Sequence, residues 1–341
     1  MSEDILFRRE GRIGIATLNR PQALNALNRA MCRAYHRKLV EWSLEPDVEA
    51  IVIEGAGDRA FCAGGDIRAL HDHGRAGSPE WERFFFDEYR MNHAIAHCPK
   101  PHVALIDGIT MGGGVGLSIH GRFRVATERT VFAMPETGIG LIPDVGGTHA
   151  LPRLPGEIGT WLALTGERLG PAECRVAGIA THYVPSAELE LLKERLAHSH
   201  EPVEQVLATF DADPGPDRLT ALRDGIDYHF VHDTVDAILA SLDGGDDWAQ
   251  AQARRIRQMS PTSLKLSLYG VRAGRGGSLE DALKREFRMV SRIKFGHDFY
   301  EGVRAQLIDK DRAPRWNPAR LEEVDIAPYL AEPLWGDLSF T

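Results

Sequence analysis

The sequence predicts an α/β fold, a stacked spiral of strand and helix units followed by a helical C-terminal region. Short apolar runs rich in Val and Ile end in Gly-rich turns, and each turn opens onto a stretch with helical periodicity. The pattern repeats at a spacing of about 50 residues, in the range of repeated supersecondary units. Beyond residue 200 the strand signals stop and helical patterns take over.

The first unit reads as a strand over Gly14 to Leu18, a turn at Asn19-Arg-Pro21 and a helix entry at Asn25-Ala-Leu-Asn28, after which Met31, Tyr35, Leu39 and Trp42 share one helical face. Glu49-Ala-Ile-Val-Ile-Glu54 is a buried-strand run ending in Gly55-Ala-Gly57, and Phe61-Cys-Ala-Gly-Gly-Asp66 leads into a helix from Ile67. The same order recurs from His102-Val-Ala-Leu-Ile-Asp-Gly108 through Thr110-Met-Gly-Gly-Gly114 into Val115-Gly-Leu-Ser-Ile119. A strand near Thr130 to Ala133 and an apolar segment near Gly178 to Val184 continue the stack, which ends near residue 195.

Residues 1–200 are therefore the expected core. Residues 201–250, with the linker-like stretches Asp211-Ala-Asp-Pro-Gly-Pro-Asp217 and Asp243-Gly-Gly-Asp-Asp247, are a variable helical insert, and residues 251–341 a C-terminal helical region. Ser278 with Asp281 resembles a capping box before the helical run Ala282 to Lys294. Lys284, Arg285, Arg288, Arg292 and Lys294 give that run a basic side, which reads as a solvated face.

With 341 residues, 43% of them hydrophobic and 26% charged, the chain can bury a full core. A formal net charge of -9 argues against general nucleic-acid binding, which needs basic surface. Cys32, Cys62, Cys98 and Cys174 are scattered, so a reducing compartment is expected rather than a disulfide framework. The chain opens without a basic then apolar leader and has no apolar run near the roughly 18 residues of a membrane helix. The expectation is a cytoplasmic protein without membrane or nucleic-acid partners.

Two glycine clusters, Gly64-Gly65 and Gly112-Gly113-Gly114, lie where strands turn into helices. Such turns can present backbone N–H groups to a carbonyl oxygen gaining negative charge, an oxyanion hole, or can simply permit tight packing. Phosphate loops are excluded by spacing: Leu117 breaks GxGxxG, and no GxxxxGK[ST] occurs. Gly116-Leu-Ser-Ile-His-Gly121 misses the GxSxG elbow by one residue, so Ser118 is a poor nucleophile candidate and His120 reads as structural. His71-Asp-His73 has diverging side chains and no third ligand at metal spacing, and no metal is expected.

Met134-Pro-Glu136-Thr-Gly-Ile-Gly140-Leu-Ile-Pro-Asp144-Val-Gly-Gly147 holds two acids in a segment whose prolines and glycines forbid a long helix. Its apolar neighbours would desolvate Glu136 and Asp144 and raise their pKa toward the range useful for proton transfer, although a turn with capping acids has the same composition.

Phe61-Cys-Ala-Gly-Gly-Asp-Ile67 and Asp107-Gly-Ile-Thr-Met-Gly-Gly-Gly114 together resemble the enoyl-CoA hydratase/isomerase, or crotonase, superfamily. Phe132-Ala-Met-Pro-Glu-Thr137, Gly140-Leu-Ile-Pro-Asp-Val-Gly-Gly147, Ser260-Pro-Thr-Ser263, Gly296-His-Asp-Phe299 and Leu307-Ile-Asp-Lys-Asp311 are similar to its 3-hydroxyisobutyryl-CoA hydrolase branch. The resemblance implies a crotonase-like spiral of β-β-α units, an acyl-CoA substrate and hydrolysis of its thioester, with no cofactor because CoA belongs to the substrate. It assigns the N–H groups of Gly65 and Gly113 to the oxyanion hole, and catalysis to Glu136 and Asp144. It places Arg59, Ala63, Gly64, Asp66, Ile67, Arg68, Gly112 and Lys310 along the CoA. Hydratases of the superfamily carry a further Glu two residues beyond the glycine triplet, where this chain has Gly116, which argues against hydration. Hydration or isomerisation of an enoyl-CoA is the alternative on this scaffold, and a non-catalytic binding protein is the alternative of another class. The superfamily also implies a homo-oligomer formed through C-terminal helices.

Overall fold

The computed structural model describes residues 3–333 and 336–340. The chain forms two compact units that interleave along the sequence. One comprises Met1–Gly65, Arg90–Ala133 and Arg168–Thr220, the other Asp66–Tyr89, Met134–Glu167 and Ala221–Thr341.

The first unit is built on two sheets. β1 (Ile5–Glu10), β2 (Ile13–Leu18), β3 (Ala50–Gly55), β5 (His102–Ile106), β7 (Phe123–Ala126) and β9 (His182–Tyr183) form the larger in that order, while β4 (Ala60–Cys62), β6 (Ile109–Met111) and β8 (Val131–Ala133) form a three-stranded sheet. Only β1, joined to β2 by a tight turn, is antiparallel. The other pairs are parallel, as strands separated by long crossovers must be. β3, β5 and β7 each feed a short strand, giving the β-β-α order β3-β4 and β5-β6 before the helices Ile67–Arg75 and Gly113–Ile119.

Alternation sets the core. Ile13 and Ile15, Ala50 and Val52, Val103 and Leu105, and Phe123 and Val125 point to one face of the larger sheet. They pack there with Leu192 and Leu196 of the helix Leu189–His198 and Val206 and Leu207 of the helix Val203–Phe210. Each Ile, Leu, Val or Phe side chain there contributes roughly 1.5–3 kcal/mol by leaving water. The helix Arg29–Leu44 buries Met31, Cys32, Tyr35, Leu39 and Trp42, the face expected from its periodicity. The loop before it is pinned by Asn25, a wholly buried residue at φ 56° whose side-chain amide donates to the carbonyls of Ala56 and Ala60 at 3.0 and 2.8 Å.

Helices dominate the second unit. Ile158–Thr165 is buried throughout, and its Trp161 donates from Nε1 to Gln252 Oε1 at 2.9 Å. Leu279–Ile293 begins with the Ser278/Asp281 capping box and buries Leu279, Leu283, Glu286, Phe287 and Val290. Its basic side is not the solvated face that its charges suggested. Lys294 is buried against Glu82 at 2.5 Å, Arg288 Nε donates to Asp337 at 2.9 Å, and Arg292 reaches the Glu332 carbonyl at 3.3 Å. The C-terminal segment holds Arg288 and Arg292, and Glu82 holds Lys294, partners so distant in the chain that a charge run read locally carries no information about them.

Candidate active site

The glycine turns of the first unit lie side by side. Gly64 adopts φ +113°, and a Cβ on it would stand 3.4 Å from the Met111 carbonyl and 3.7 Å from the Gly113 nitrogen. Gly113 is the first residue of the helix Gly113–Ile119, so its N–H has no acceptor inside the helix. Among the described residues, no protein acceptor is paired with the Gly65 N–H either. The neighbouring Gly114 is fixed by contact, because a Cβ there would come 2.2 Å from the Cys62 carbonyl oxygen. The turns also have their backbone anchored: Leu27 N–H donates to Gly64 O at 2.8 Å and Ala63 N–H to Leu24 O at 3.0 Å. Gly112 caps the helix at φ 48°. Ser118 is buried and donates back to the Gly114 and Val115 carbonyls at 3.0 and 3.1 Å, which removes it as a nucleophile.

In the second unit the segment after Met134 forms a 3-10 turn, Glu136–Ile139, ended by Gly140 in the left-handed region. Glu136 and Asp144 are 5% and 4% exposed. Burial, then the charge of Asp144, holds the Glu136 carboxyl well above the usual carboxylate range, and Glu136 Oε2 has no hydrogen-bond partner among the described residues. Burial also pushes Asp144 up to about 7, opposed by the Tyr89 hydroxyl, which donates to Asp144 Oδ2 at 2.7 Å. A third buried acid joins them: Glu88 is raised by burial, then by Asp144 and Glu136, and its Oε1 is likewise unpartnered. Burial is the main cause, and repulsion adds to it at Glu136 and Glu88, because neighbouring carboxylates in a dry site resist ionising together.

The residues assigned to CoA fall into two groups. Ala63 and Gly64 belong to the first glycine turn, Gly112 to the second, and Arg59 is an exposed residue just before β4. In the second unit Asp66 caps the helix Ile67–Arg75 by accepting from the Ala69 N–H at 3.2 Å. Ile67 opens that helix, and exposed Arg68 donates to the Leu307 carbonyl at 2.9 Å, three residues before exposed Lys310 at φ 59°.

Glu88, Tyr89 and Glu286 were not anticipated from the sequence. The available signal was an acid placed on an apolar helical stripe: Glu88 follows Phe84 and Phe85 at helical spacing, and Glu286 lies among Leu283, Phe287 and Val290.

Stacked β-β-α units that carry backbone donors at glycine turns, with buried acids in a Pro/Gly segment, are the makings of an acyl-CoA enzyme fold. The chain belongs to the enoyl-CoA hydratase/isomerase family, whose model matches residues 13–330. Within it, the chain is 48% identical to a protein named 3-hydroxyisobutyryl-CoA hydrolase, mitochondrial, of Rattus norvegicus, over 99% of this chain and 91% of that one. It is 47% identical to the Homo sapiens protein of the same name, over 95% of this chain and 86% of that one. Among solved structures it resembles one titled carnitinyl-CoA dehydratase, from Mycobacterium thermoresistibile, with a TM-score of 0.94 and 41% identity over 99% of both chains. It also resembles one titled enoyl-CoA hydratase, from Rhodobacter sphaeroides 2.4.1, with a TM-score of 0.91 and 44% identity over 99% of this chain and 100% of that one.

Proposed function

We propose that this protein hydrolyses the thioester of 3-hydroxyisobutyryl-CoA to 3-hydroxyisobutyrate and CoA, a step of valine catabolism. The observation that carries the reading is the pair of buried acids Glu136 and Asp144, each raised by burial, with Asp144 anchored by Tyr89. The names of the relatives at 47–49% identity support the choice of substrate.

In this reading the Gly65 and Gly113 N–H groups receive the thioester oxygen as it becomes an oxyanion, an interaction in which each donor is worth roughly 3 kcal/mol in known sites. The acids work as a couple that retains one proton. The ionised member takes a proton from the attacking water, and the protonated member delivers one to the departing CoA sulfur. Direct attack by Glu136 on the carbonyl, giving a mixed anhydride that water then opens, uses the same groups. A single turnover in 18O-water separates the two. Attack by water places the label in 3-hydroxyisobutyrate, whereas an anhydride opened at the Glu136 carbonyl leaves it on the enzyme.

Arg59, Arg68 and Lys310 are the cations proposed for the CoA phosphates, with Ala63, Asp66 and Ile67 beside its pantetheine portion. No cofactor takes part in this scheme. The second reading is hydration, favoured by the titles of the two similar structures. Against it, Gly116 supplies no side chain where hydratases of the superfamily carry an acid. Parallel assays of thiol release from 3-hydroxyisobutyryl-CoA and of enoyl absorbance with crotonyl-CoA decide between them.

The reading includes a homo-oligomer joined through C-terminal helices, which sedimentation velocity tests. It also places the protein in the cytoplasm, supported by the four free cysteines, three of them buried. No helix among the described residues is long and apolar enough to cross a membrane. The vertebrate relatives carry the word mitochondrial in their names, so fractionation of the source cells is the test of compartment.

A further inference from the structure

We propose that Glu286 is a positioning residue for Asp144: its buried carboxylate caps the one-turn helix that follows Asp144 and so fixes the direction of the Asp144 side chain. The geometry lies in three hydrogen bonds. Glu286 Oε2 accepts from the Gly146 N–H at 2.8 Å, and Oε1 accepts from the Thr148 N–H at 2.9 Å and the Thr148 hydroxyl at 2.5 Å. Gly146 is the N-cap of the helix Gly147–Ala150 and has no side chain with which to cap it, so Glu286 supplies the oxygens that a local Ser or Asp would otherwise provide.

The clamp holds a strained backbone. Val145, between Asp144 and the clamped residues, sits at φ 53°, a conformation that a β-branched residue keeps only when its surroundings impose it. Asp144 O accepts from the Gly147 N–H at 2.6 Å, which closes the turn on the other side. Glu286 itself is 0% exposed on an otherwise apolar helical stripe, and an acid is kept in such a place only when its donors compensate its desolvation. A filler at this position would be apolar.

Glu286 is also an electrostatic neighbour. The titratable groups facing Asp144 are Glu88, Tyr89, Glu136 and Glu286. Burial pushes Glu286 up to about 8 against its donors, with the charge of Asp144 adding to the rise. Asp144, at about 7, ionises first, so the clamp acts on it through position: without the clamp Asp144 loses its aim at the Tyr89 hydroxyl and titrates at higher pH.

The role rests on the hydrolase reading. The test is Glu286→Gln in the full chain, which keeps the volume but turns an NH2 toward one of the donors. The expected result is a fall in kcat for thiol release of about tenfold or more with KM within about twofold, and a kcat–pH limb displaced to higher pH as Asp144 loses its Tyr89 donor. A structural filler would leave that limb in place. Wild-type kcat and an unshifted limb in a folded Glu286→Gln protein would overturn the proposal. Should that variant fail to fold, Thr148→Val, which removes one of the three donors, carries the test with a smaller fall in the same sense, and no fall overturns it. If the wild-type protein releases no thiol, the hydrolase reading fails separately. Positioning is then read from the Asp144 carboxyl 13C shift against pH, where identical titration in wild type and Glu286→Gln overturns it.

Discussion

The Tyr89 hydroxyl donates a 2.7 Å hydrogen bond to Asp144 Oδ2, with both side chains buried. A phenol at that distance stabilises the ionised carboxylate and opposes the burial that raises it. The bond therefore both aims Asp144 and sets the pH at which it ionises.

Tyr89→Phe removes the donor and leaves the ring in place. Asp144 then titrates at higher pH, so the kcat–pH limb governed by its ionisation moves up, the direction also expected of Glu286→Gln. At neutral pH kcat falls about tenfold, within the span of acid–base contributions. Steady-state pH profiles of the two variants side by side check the shared direction.

Glu136→Gln and Asp144→Asn each lower turnover by at least about 100-fold, because each removes one half of the proton exchange. Their circular dichroism spectra stay native, since the substitutions conserve volume. Near-normal thiol release in either variant would take that residue out of the mechanism.

These acids were legible because both stand in one apolar segment where prolines and glycines forbid a long helix. Their supports were not. Tyr89 precedes Asp144 by 55 residues and Glu286 follows Gly146 by 140, and no local pattern relates a buried side chain to so distant a partner. The strands followed a similar rule. β2, β3 and β5 are apolar runs that announce themselves, and β8 falls at the strand expected near Thr130 to Ala133, whereas β4 and β6, with three residues each, are too short to show a period beside the glycine turns that follow them. The face of the Arg29–Leu44 helix came directly from 3.6-residue spacing, while the covered cations of Leu279–Ile293 depend on a C-terminal segment that charge patterning does not locate.

Stability should fall as pH rises across the window set by the buried acids. Asp144 is raised from 3.8 to about 7 and Glu286 from 4.5 to about 8, so these groups hold more protons in the folded chain than in the unfolded one, and the window is clearest between roughly pH 6.5 and pH 8, above the range where buried His102, lowered from 6.5 to about 3, acts in the opposite sense. Their ionisation is free in the unfolded state and opposed in the folded state, and stability declines through the window. Melting temperatures measured across it are expected to drop, with a shallower slope in Glu286→Gln.

Gly114→Ala tests the packing of the second glycine turn. The new Cβ would lie 2.2 Å from the Cys62 carbonyl oxygen, which belongs to a strand and cannot move cheaply. We expect a loss on the order of 3 kcal/mol, at the upper end for overpacking, read from the denaturant midpoint at unchanged m-value.

Arg68→Ala and Lys310→Ala test the proposed phosphate contacts. Loss of a contact made equally in ground and transition states raises KM and leaves kcat unchanged. About tenfold in KM corresponds to about 1.4 kcal/mol. An unchanged KM in both variants would move the CoA phosphates to other cations.

The most direct test of the central claim is free-thiol release from 3-hydroxyisobutyryl-CoA by the purified protein, with crotonyl-CoA followed in parallel by its enoyl absorbance. The expected result is rapid thiol release without enoyl consumption, abolished in Glu136→Gln. Enoyl consumption without thiol release would contradict it and assign the acids to hydration or isomerisation.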